Sequence, residues 1–244
     1  MKSVSVIIPV KNEAGNISPL IDEILAAAEH FPLCEIIVVN DGSTDDTARI
    51  VSERTATDPR IKLVTHTRSG GQSAAVHSGV LVATGEICAT LDGDGQNPPS
   101  ELPKLVAPLL GAQTGRLGLM AGQRVKRQDT LSKRLASKFA NGIRSRVLRD
   151  GTRDTGCGLK AFRRDAFLML PFFNHMHRYL PALFTKDGWE VGHVDVSHRE
   201  RGSGTSKYNN LQRGLVGIYD LIGVSWMIRR RKTVNRPADL LCRD

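Results

Sequence analysis

Residues 87–99 read ICATLDGDGQNPP. This stretch begins with an apolar run, continues with two aspartates and ends with two prolines. The run Ile87–Leu91 is rich in strand-forming residues, the aspartates interrupt it, and the proline pair favours the start of a helix. The stretch therefore predicts a strand with Asp92 and Asp94 just beyond its C-terminal end. In an open α/β sheet, ligands bind outside the carboxyl ends of the strands, because the helices leave that crevice free.

Asp92 and Asp94 are separated by one glycine, so a loop can turn both carboxylates toward one point. Two hard oxygen ligands together with a substrate phosphate are the usual way of holding Mg²⁺ or Mn²⁺. Gln96 could add a carbonyl oxygen. The same residue types also form solvated turns, so the interpretation depends on the rest of the chain.

The chain before this stretch alternates between strand-like and helix-like segments. Continuous apolar runs of strand length are typical of strands that are covered on both faces of a parallel sheet. They occur at 4–10, 35–40, 61–65 and 87–91, with helical patterns between them. We therefore predict an α/β fold with a mostly parallel central sheet flanked by helices. Further predictions are a strand at 117–121, a basic helix at 131–148, a loop at 150–162 and a strand at 190–197.

The composition points to an anionic partner. The 244 residues carry a formal net charge of +9, although the charged fraction of 24% is ordinary for a globular protein. Aromatic residues make up only 5%, which does not favour a surface that stacks nucleobases. The four cysteines lack CxxC spacing, so neither a zinc site nor a disulfide framework is expected. Met1 lies three residues before the first predicted strand, so we expect no signal peptide and a cytoplasmic protein.

Three ordered motifs carry a family resemblance: IIPVKNE at 7–13, VVNDGSTDDT at 38–47 and LDGDGQNPP at 91–99. They resemble the successive signatures of family two glycosyltransferases with the GT-A fold. The nearest likeness is to the dolichyl-phosphate mannose synthase group, whose members transfer a sugar from a nucleotide to a polyprenyl phosphate. The chain departs from that group at Gly93 and Gly95, where alanine and leucine are more common.

The resemblance implies roles for residues of all three motifs. It implies that the nucleoside is contacted by Pro9, Glu13 and Asp41, with Asp92 also on the nucleotide. It implies that the divalent metal on the diphosphate is held by Asp92, Asp94 and Gln96.

The resemblance also implies a phosphate-binding set beyond the metal motif. Arg124 and Arg134 would bind a donor or acceptor phosphate, which suits guanidinium groups. Arg201 and Lys207 would close over the diphosphate as a lid, with Arg199 as an alternative register for the first arginine. Asp154 would lie near the reacting centre. The residues expected to carry the reaction are Asp92, Asp94, Arg124 and Asp154.

The function that these residues predict is inverting transfer from a GDP- or UDP-linked sugar to a polyprenyl phosphate. An acceptor phosphate is already ionised near neutral pH, so the reaction needs no strong general base. One alternative is transfer to a saccharide or protein hydroxyl, for which Asp154 is the candidate base. Another is a basic nucleotide- or RNA-binding module without catalysis, which the acidic motifs disfavour because carboxylates repel nucleic acid.

The C-terminal part of the sequence predicts how the protein contacts a membrane. We expect a catalytic domain at 1–210, a helix at 211–232 and a loose tail at 233–244. The apolar run 211–228 is interrupted by Arg213 and Asp220 and is too short to span a bilayer. With Trp226 and the basic cluster after it, the helix suits the membrane interface, and packing on protein is an equal alternative. The expected location is peripheral, on the cytoplasmic face.

Overall fold

A computed structural model describes residues 2–112, 115–125, 142, 144, 146–148, 150–199 and 210–230. Most of the predicted basic helix and the predicted tail lie outside the described residues. The same holds for three predicted phosphate ligands, Arg134, Arg201 and Lys207.

A seven-stranded sheet forms the centre of the described fold, in the order β3-β2-β1-β4-β6-β5-β7. Its strands are β1 (Val4–Val10), β2 (Leu33–Asn40), β3 (Ile61–Thr65), β4 (Ile87–Thr90), β5 (Leu117–Arg124), β6 (Lys160–Arg163) and β7 (Glu190–Val196). β6 runs antiparallel to β4 and β5, and the other pairs are parallel. The prediction of a mostly parallel sheet is therefore confirmed.

Helices cover the sheet on both sides. They are α1 (Ile17–Ala27), α2 (Thr47–Thr57), α3 (Gln72–Val82), α4 (Leu102–Gly111), α5 (Arg164–Leu168), α6 (Leu180–Lys186) and α7 (Asn210–Arg229). Short 3-10 turns lie at Ala28–His30, Pro99–Glu101 and Met176–Arg178. The helix predicted after the proline pair is present, as a 3-10 turn that leads directly into α4.

The core lies on both faces of the sheet. In β1, Val6 and Ile8 are buried in one apolar cluster with α1 and α4, while Ile7 is buried in the other with α3 and α6. Alternate side chains of a strand point to opposite faces. A continuous apolar run such as β1 is therefore what a doubly covered strand requires.

The prediction of a loop at 150–162 is wrong at its C-terminal end, where β6 begins at Lys160. Ala161 and Phe162 are fully buried, and β6 pairs with a neighbour on each side. Four residues are too few to show a period in the sequence, and the pairing partners are distant along the chain. The strand is set by tertiary pairing, which the local glycine-rich composition conceals.

Candidate functional site

The carboxyl ends of the parallel strands meet at one edge of the sheet and bring the predicted site residues together. Asp41 directly follows β2, Asp92 lies two residues after β4, and Arg124 ends β5. This is the edge at which open α/β sheets bind ligands.

Asp92 is fixed from three sides. Gln72 Nε2 donates to Asp92 Oδ1 at 2.7 Å, and Asn97 Nδ2 donates to Oδ2 at 3.2 Å. Gly158 lies against the back of the carboxylate, where a Cβ would overlap it. Burial raises the pKa of Asp92, and the nearby charge of Asp94 raises it further. A cation beside the two carboxylates would relieve both effects.

Asp94 lies in the same turn and is 8% exposed. The backbone N–H of Gln96 donates to Asp94 Oδ1 at 3.1 Å. Gly95 has φ +73°, a conformation that favours glycine, and Gly93 passes so close to β1 that a Cβ would lie 2.6 Å from Val10 Cγ1. The two glycines at which the chain departs from the family pattern therefore fit the path of this turn.

The donor set of this turn fits Mg²⁺ or Mn²⁺. It offers the carboxylates of Asp92 and Asp94 and the side-chain carbonyl of Gln96, all hard oxygen ligands. Asn97 Oδ1 is buried beside them without a hydrogen-bond partner. In the described ranges, this turn included, no group of three or more His, Cys, Asp or Glu side chains is placed to hold a metal. Two carboxylates suit a cation whose remaining ligands come from phosphate and water.

Asp41 is buried and accepts hydrogen bonds on both carboxylate oxygens. Oδ1 contacts His66 Nδ1 at 2.8 Å and accepts from Gly70 N at 2.7 Å; Oδ2 accepts from Ser69 Oγ and Gly71 N at 2.6 and 2.9 Å. Burial alone would raise the pKa of Asp41, but these hydrogen bonds hold it below its ordinary value. Asp41 thus organises the loop before α3, and its contact with a nucleoside stays a prediction.

The C-terminal parts of the first two motifs lie side by side, in the loops after β1 and β2. Asn12 N donates to Ser43 Oγ at 3.0 Å, and Glu13 N donates to Thr47 Oγ1 at 2.9 Å. Glu13 Oε2 accepts from the Asn16 side chain at 2.7 Å. Pro9 belongs to β1, and Glu13 to the loop after it, which the structure brings next to the loop after Asp41. Their contact with a nucleoside also stays a prediction.

Arg124 and Asp154 form a two-point ion pair. Arg124 Nε donates to Asp154 Oδ2 at 2.6 Å, and Nη2 donates to Oδ1 at 2.9 Å. Although burial would lower the pKa of Arg124, the hydrogen bonds and charge of Asp154 hold it above its ordinary value. The sequence predicts both residues at the site without predicting that they pair.

Lys160 is a buried cation beside these groups that the sequence analysis missed. It is 4% exposed, and its Nζ donates to the carbonyl oxygen of Cys157. Burial lowers the pKa of Lys160, while Cys157, Asp92 and Asp154 oppose that shift. Gln72 and Asn97 were missed as well. Recognition of β6 would have placed Lys160 opposite Thr90 at the end of β4.

Arg199 joins the segment after β7 to the turn that holds the aspartates. Its backbone N–H donates to Gln96 O at 3.0 Å, and its guanidinium contacts Gly95 O and pairs with Glu23 at 2.8 Å. Arg199 therefore stabilises the turn that carries Asp92 and Asp94.

α7 packs on the domain through one face and exposes the other. Val224 is buried, Asp220 pairs with His175 at 2.9 Å, and Tyr179 Oη donates to Gly217 O at 3.3 Å. The exposed face carries large apolar side chains, namely Ile218, Tyr219, Ile222 and Trp226. Within the described part of the chain, no helix has the length and apolar character that a membrane crossing requires.

Comparison with known proteins gives consistent relatives. The family model described as "Glycosyl transferase family 2" matches residues 5–169. The undecaprenyl-phosphate 4-deoxy-4-formamido-L-arabinose transferase of Pectobacterium carotovorum subsp. carotovorum (strain PC1) is 38% identical over 91% of this chain and 67% of its own length. The dodecaprenyl-phosphate galacturonate synthase of Rhizobium johnstonii is 33% identical over 92% of this chain and 67% of its own.

Solved structures share the fold at lower identity. The mannosyl-3-phosphoglycerate synthase of Rubrobacter xylanophilus superposes with a TM-score of 0.70 at 19% identity, covering 97% of this chain and 78% of that one. The glucosyl-3-phosphoglycerate synthase of Mycobacterium tuberculosis, crystallised with Mn²⁺, UDP and glucosyl-3-phosphoglycerate, gives 0.67 at 20% identity, covering 93% and 80%. These likenesses support the GT-A type of fold that the motifs predict.

Proposed function

Because the chain belongs to glycosyl transferase family 2, we propose that it transfers a sugar from a nucleotide-sugar donor to a polyprenyl phosphate acceptor. The donor is GDP- or UDP-linked, and a divalent cation, Mg²⁺ or Mn²⁺, is held by Asp92, Asp94 and Gln96. The observation that carries the proposal is the fixed Asp92 carboxylate, which stands beside Asp94 at the ligand-binding edge of the sheet.

The acceptor class rests on the relatives. Their names specify undecaprenyl and dodecaprenyl phosphates as acceptors, but they specify two different sugars, a formamido-arabinose and a galacturonate. The polyprenyl phosphate is thus the feature that the two relatives have in common.

The charges around the site support a reaction on a diphosphate. The carboxyl groups of Asp92 and Asp154 lie near the basic side chains of Arg124 and Lys160, and Asp94 lies near Asp92. The divalent cation, when bound, neutralises charge on the departing nucleoside diphosphate. Arg124 supplies a fixed positive charge at the end of β5, and the predicted lid residues Arg201 and Lys207 add two more.

The acceptor side needs no strong general base. A phosphate oxygen of the acceptor is ionised near neutral pH and attacks the anomeric carbon opposite the leaving group, so we expect inversion. Asp154 is held by Arg124 on both carboxylate oxygens. Both carboxylate oxygens therefore already accept charge-assisted hydrogen bonds from Arg124. This arrangement favours a phosphate acceptor over a hydroxyl acceptor.

The exposed face of α7 supports peripheral contact with the membrane that holds the lipid. Ile222 and Trp226 are 65% and 63% exposed, and Arg229 and Arg230 follow them at the end of the helix. Apolar side chains next to arginines suit the boundary between acyl chains and anionic headgroups. We propose that this contact is made on the cytoplasmic face.

The test is transfer of label from a panel of nucleotide sugars into organic-extractable lipid, with added polyprenyl phosphate and Mg²⁺ or Mn²⁺. Asp94→Ala is compared with Asp22→Ala, which removes an exposed aspartate of α1. We expect product with one donor, and loss of product with chelator or Asp94→Ala but not with Asp22→Ala.

Other results would contradict the proposal in different ways. Product formation that persists in chelator would show that the reaction does not require a metal. Metal-dependent donor hydrolysis without lipid product would indicate that the acceptor is a hydroxyl group and not a polyprenyl phosphate. Binding of nucleotide without either activity would leave a non-catalytic module.

A further inference from the structure

The start of α3 and the two glycines before it connect both acidic parts of the site. Gly70 and Gly71 donate their backbone N–H groups to Asp41, and the next residue, Gln72, donates its side-chain amide to Asp92. Ser73 follows with a hydroxyl that contacts His177 Nδ1 at 2.8 Å. Four consecutive residues, two before α3 and two at its start, thus each bind a group outside this segment.

We propose that Gln72 is a positioning residue for the metal site: its amide fixes the orientation of Asp92, and the glycine pair that precedes Gln72 links that carboxylate to Asp41. This inference rests on the metal site of the proposed function. It adds a residue that lies outside the three motifs and reaches the metal only through another side chain.

The need for such a residue follows from the charges. Asp92 and Asp94 lie in one short turn, and like charges at close range repel each other. Without a cation, repulsion favours rotation of the Asp92 carboxylate away from Asp94. Gln72 on Oδ1 and Asn97 on Oδ2 oppose that rotation, and Gly158 leaves no room behind the carboxylate.

Gln72 is itself held in place by its neighbours. Gly71 is bound to Asp41 on one side, and Ser73, 3% exposed, is bound to His177 on the other. His177 N donates to Ser73 Oγ at 3.2 Å, which leaves the hydroxyl hydrogen to be donated to Nδ1 of the same residue. Burial and the nearby charge of Lys160 hold the pKa of His177 well below its ordinary value. The imidazole is therefore a neutral acceptor at this position.

Gln72 is exposed to solvent. Its loss therefore removes little buried surface and should leave the stability of the fold nearly unchanged. Methionine has a similar length and good helix propensity but no N–H donor. Gln72→Met thus separates the hydrogen bond to Asp92 from the packing of α3.

The experiment is a titration of the full chain with Mn²⁺, read by the loss of the free-ion electron paramagnetic resonance signal, in the presence of UDP or GDP. Partners that orient metal ligands commonly change affinity by about 10- to 100-fold, and we expect Gln72→Met to weaken Mn²⁺ binding about 10-fold. The control Leu81→Ala changes an exposed residue at the far end of α3 and should bind as the parent does. Thermal unfolding in chelator should be unchanged in both variants.

Three results would overturn the inference, and they are distinguishable. If the parent binds Mn²⁺ and Gln72→Met binds it equally well, Gln72 does not position Asp92, and the proposed function stands. If the parent does not bind Mn²⁺, the metal site of the proposed function fails and the inference fails with it. An equal loss in Leu81→Ala would assign the effect to α3 as a whole and would also overturn it.

Discussion

Arg124 and Asp154 meet through two parallel hydrogen bonds of 2.6 and 2.9 Å at the carboxyl end of β5. The backbone N–H of Gly156 also donates to Asp154 Oδ1, at 3.1 Å. Bidentate pairing fixes the plane of the guanidinium. The pair therefore holds Arg124 in one orientation. In the function that we propose, Arg124 binds a phosphate, and Asp154 acts on that phosphate through Arg124.

We expect Asp154→Asn to lower kcat about tenfold, because one of the two charge-assisted hydrogen bonds that orient Arg124 is lost. The decrease should be the same across the pH range in which the parent is active. Steady-state transfer to polyprenyl phosphate as a function of pH measures both quantities.

A required general base would behave differently. Its removal typically costs up to about 10⁴-fold in rate and abolishes the acidic limb of the pH profile. Such a result for Asp154→Asn would favour a hydroxyl acceptor. Arg153→Gln provides a control at a neighbouring position, since Arg153 is exposed and pairs with Asp195.

Gly158 controls the position of Asp92 by close approach, so we expect Gly158→Ala to lower activity on the order of 10- to 100-fold. The added Cβ would overlap the Asp92 carboxylate and displace it. Thr90 Oγ1 donates to Gly158 O at 2.9 Å, so the backbone at this position cannot retreat freely. Overpacking should also lower the free energy of unfolding by about 1–3 kcal/mol.

The control for this prediction is Gly111→Ala at the end of α4, where an added Cβ has no neighbour within 4 Å. It should retain full activity. Equal activity in the two variants would show that Asp92 tolerates displacement. Activity and chemical unfolding are measured on the same preparations.

The sequence predicts the parallel sheet and its ligand-binding edge because each parallel strand is an apolar run that must be buried on both faces. It predicts Asp41, Asp92 and Arg124 at that edge because strand ends can be located from local pattern. These steps use only short-range information, which a single sequence contains.

The partners of those residues could not be predicted in the same way. Gln72 reaches Asp92 across 20 residues, and Arg124 meets Asp154 across 30. Lys160 lies on a four-residue strand that only pairing with β4 and β5 defines. Contacts between distant segments depend on the folded arrangement, and neither periodicity nor composition records them.

Glu35 makes a stability contribution that depends on pH and lies at the opposite edge of the sheet. It accepts hydrogen bonds from Ser5 Oγ at 2.6 Å and from Thr84 N at 2.6 Å, and it pairs with Lys62. Burial would raise the pKa of Glu35, but the bonds from Lys62, Ser5 and Thr84 lower it from 4.5 to about 2.

The unfolded chain binds this proton more readily than the folded protein, so stability should fall as the pH drops from 4.5 toward 2. We expect Glu35→Gln to lower the free energy of unfolding by on the order of 1 kcal/mol at neutral pH. The loss is modest because Lys62 is partly exposed and its charge is screened. The free energy of unfolding of this variant should also depend less strongly on pH in the acidic range. Urea unfolding at several pH values measures both effects, and parallel curves for parent and variant would contradict the assignment.

The exposed face of α7 gives a prediction about vesicle binding. Ile222 and Trp226 lie four residues apart, on one side of the helix, whereas Val224 faces the core. Burying one such side chain in the interface contributes about 1.5–3 kcal/mol, and placing a carboxylate there adds repulsion from anionic lipids. Ile222→Glu should therefore weaken binding to anionic vesicles at least tenfold, as measured by co-sedimentation.

The matched control is Leu81→Glu, which places the same charge at an exposed apolar position of α3. If α7 is the contact surface, this variant should bind vesicles nearly as the parent does, and salt should weaken binding of both by screening Arg229 and Arg230. Transfer to a short-chain, water-soluble polyprenyl phosphate should be unaffected in Ile222→Glu. Equal vesicle binding by the parent and Ile222→Glu would show that α7 is not the membrane contact. Loss of transfer to the soluble acceptor in Ile222→Glu would show that Ile222 contributes to the packing of the domain.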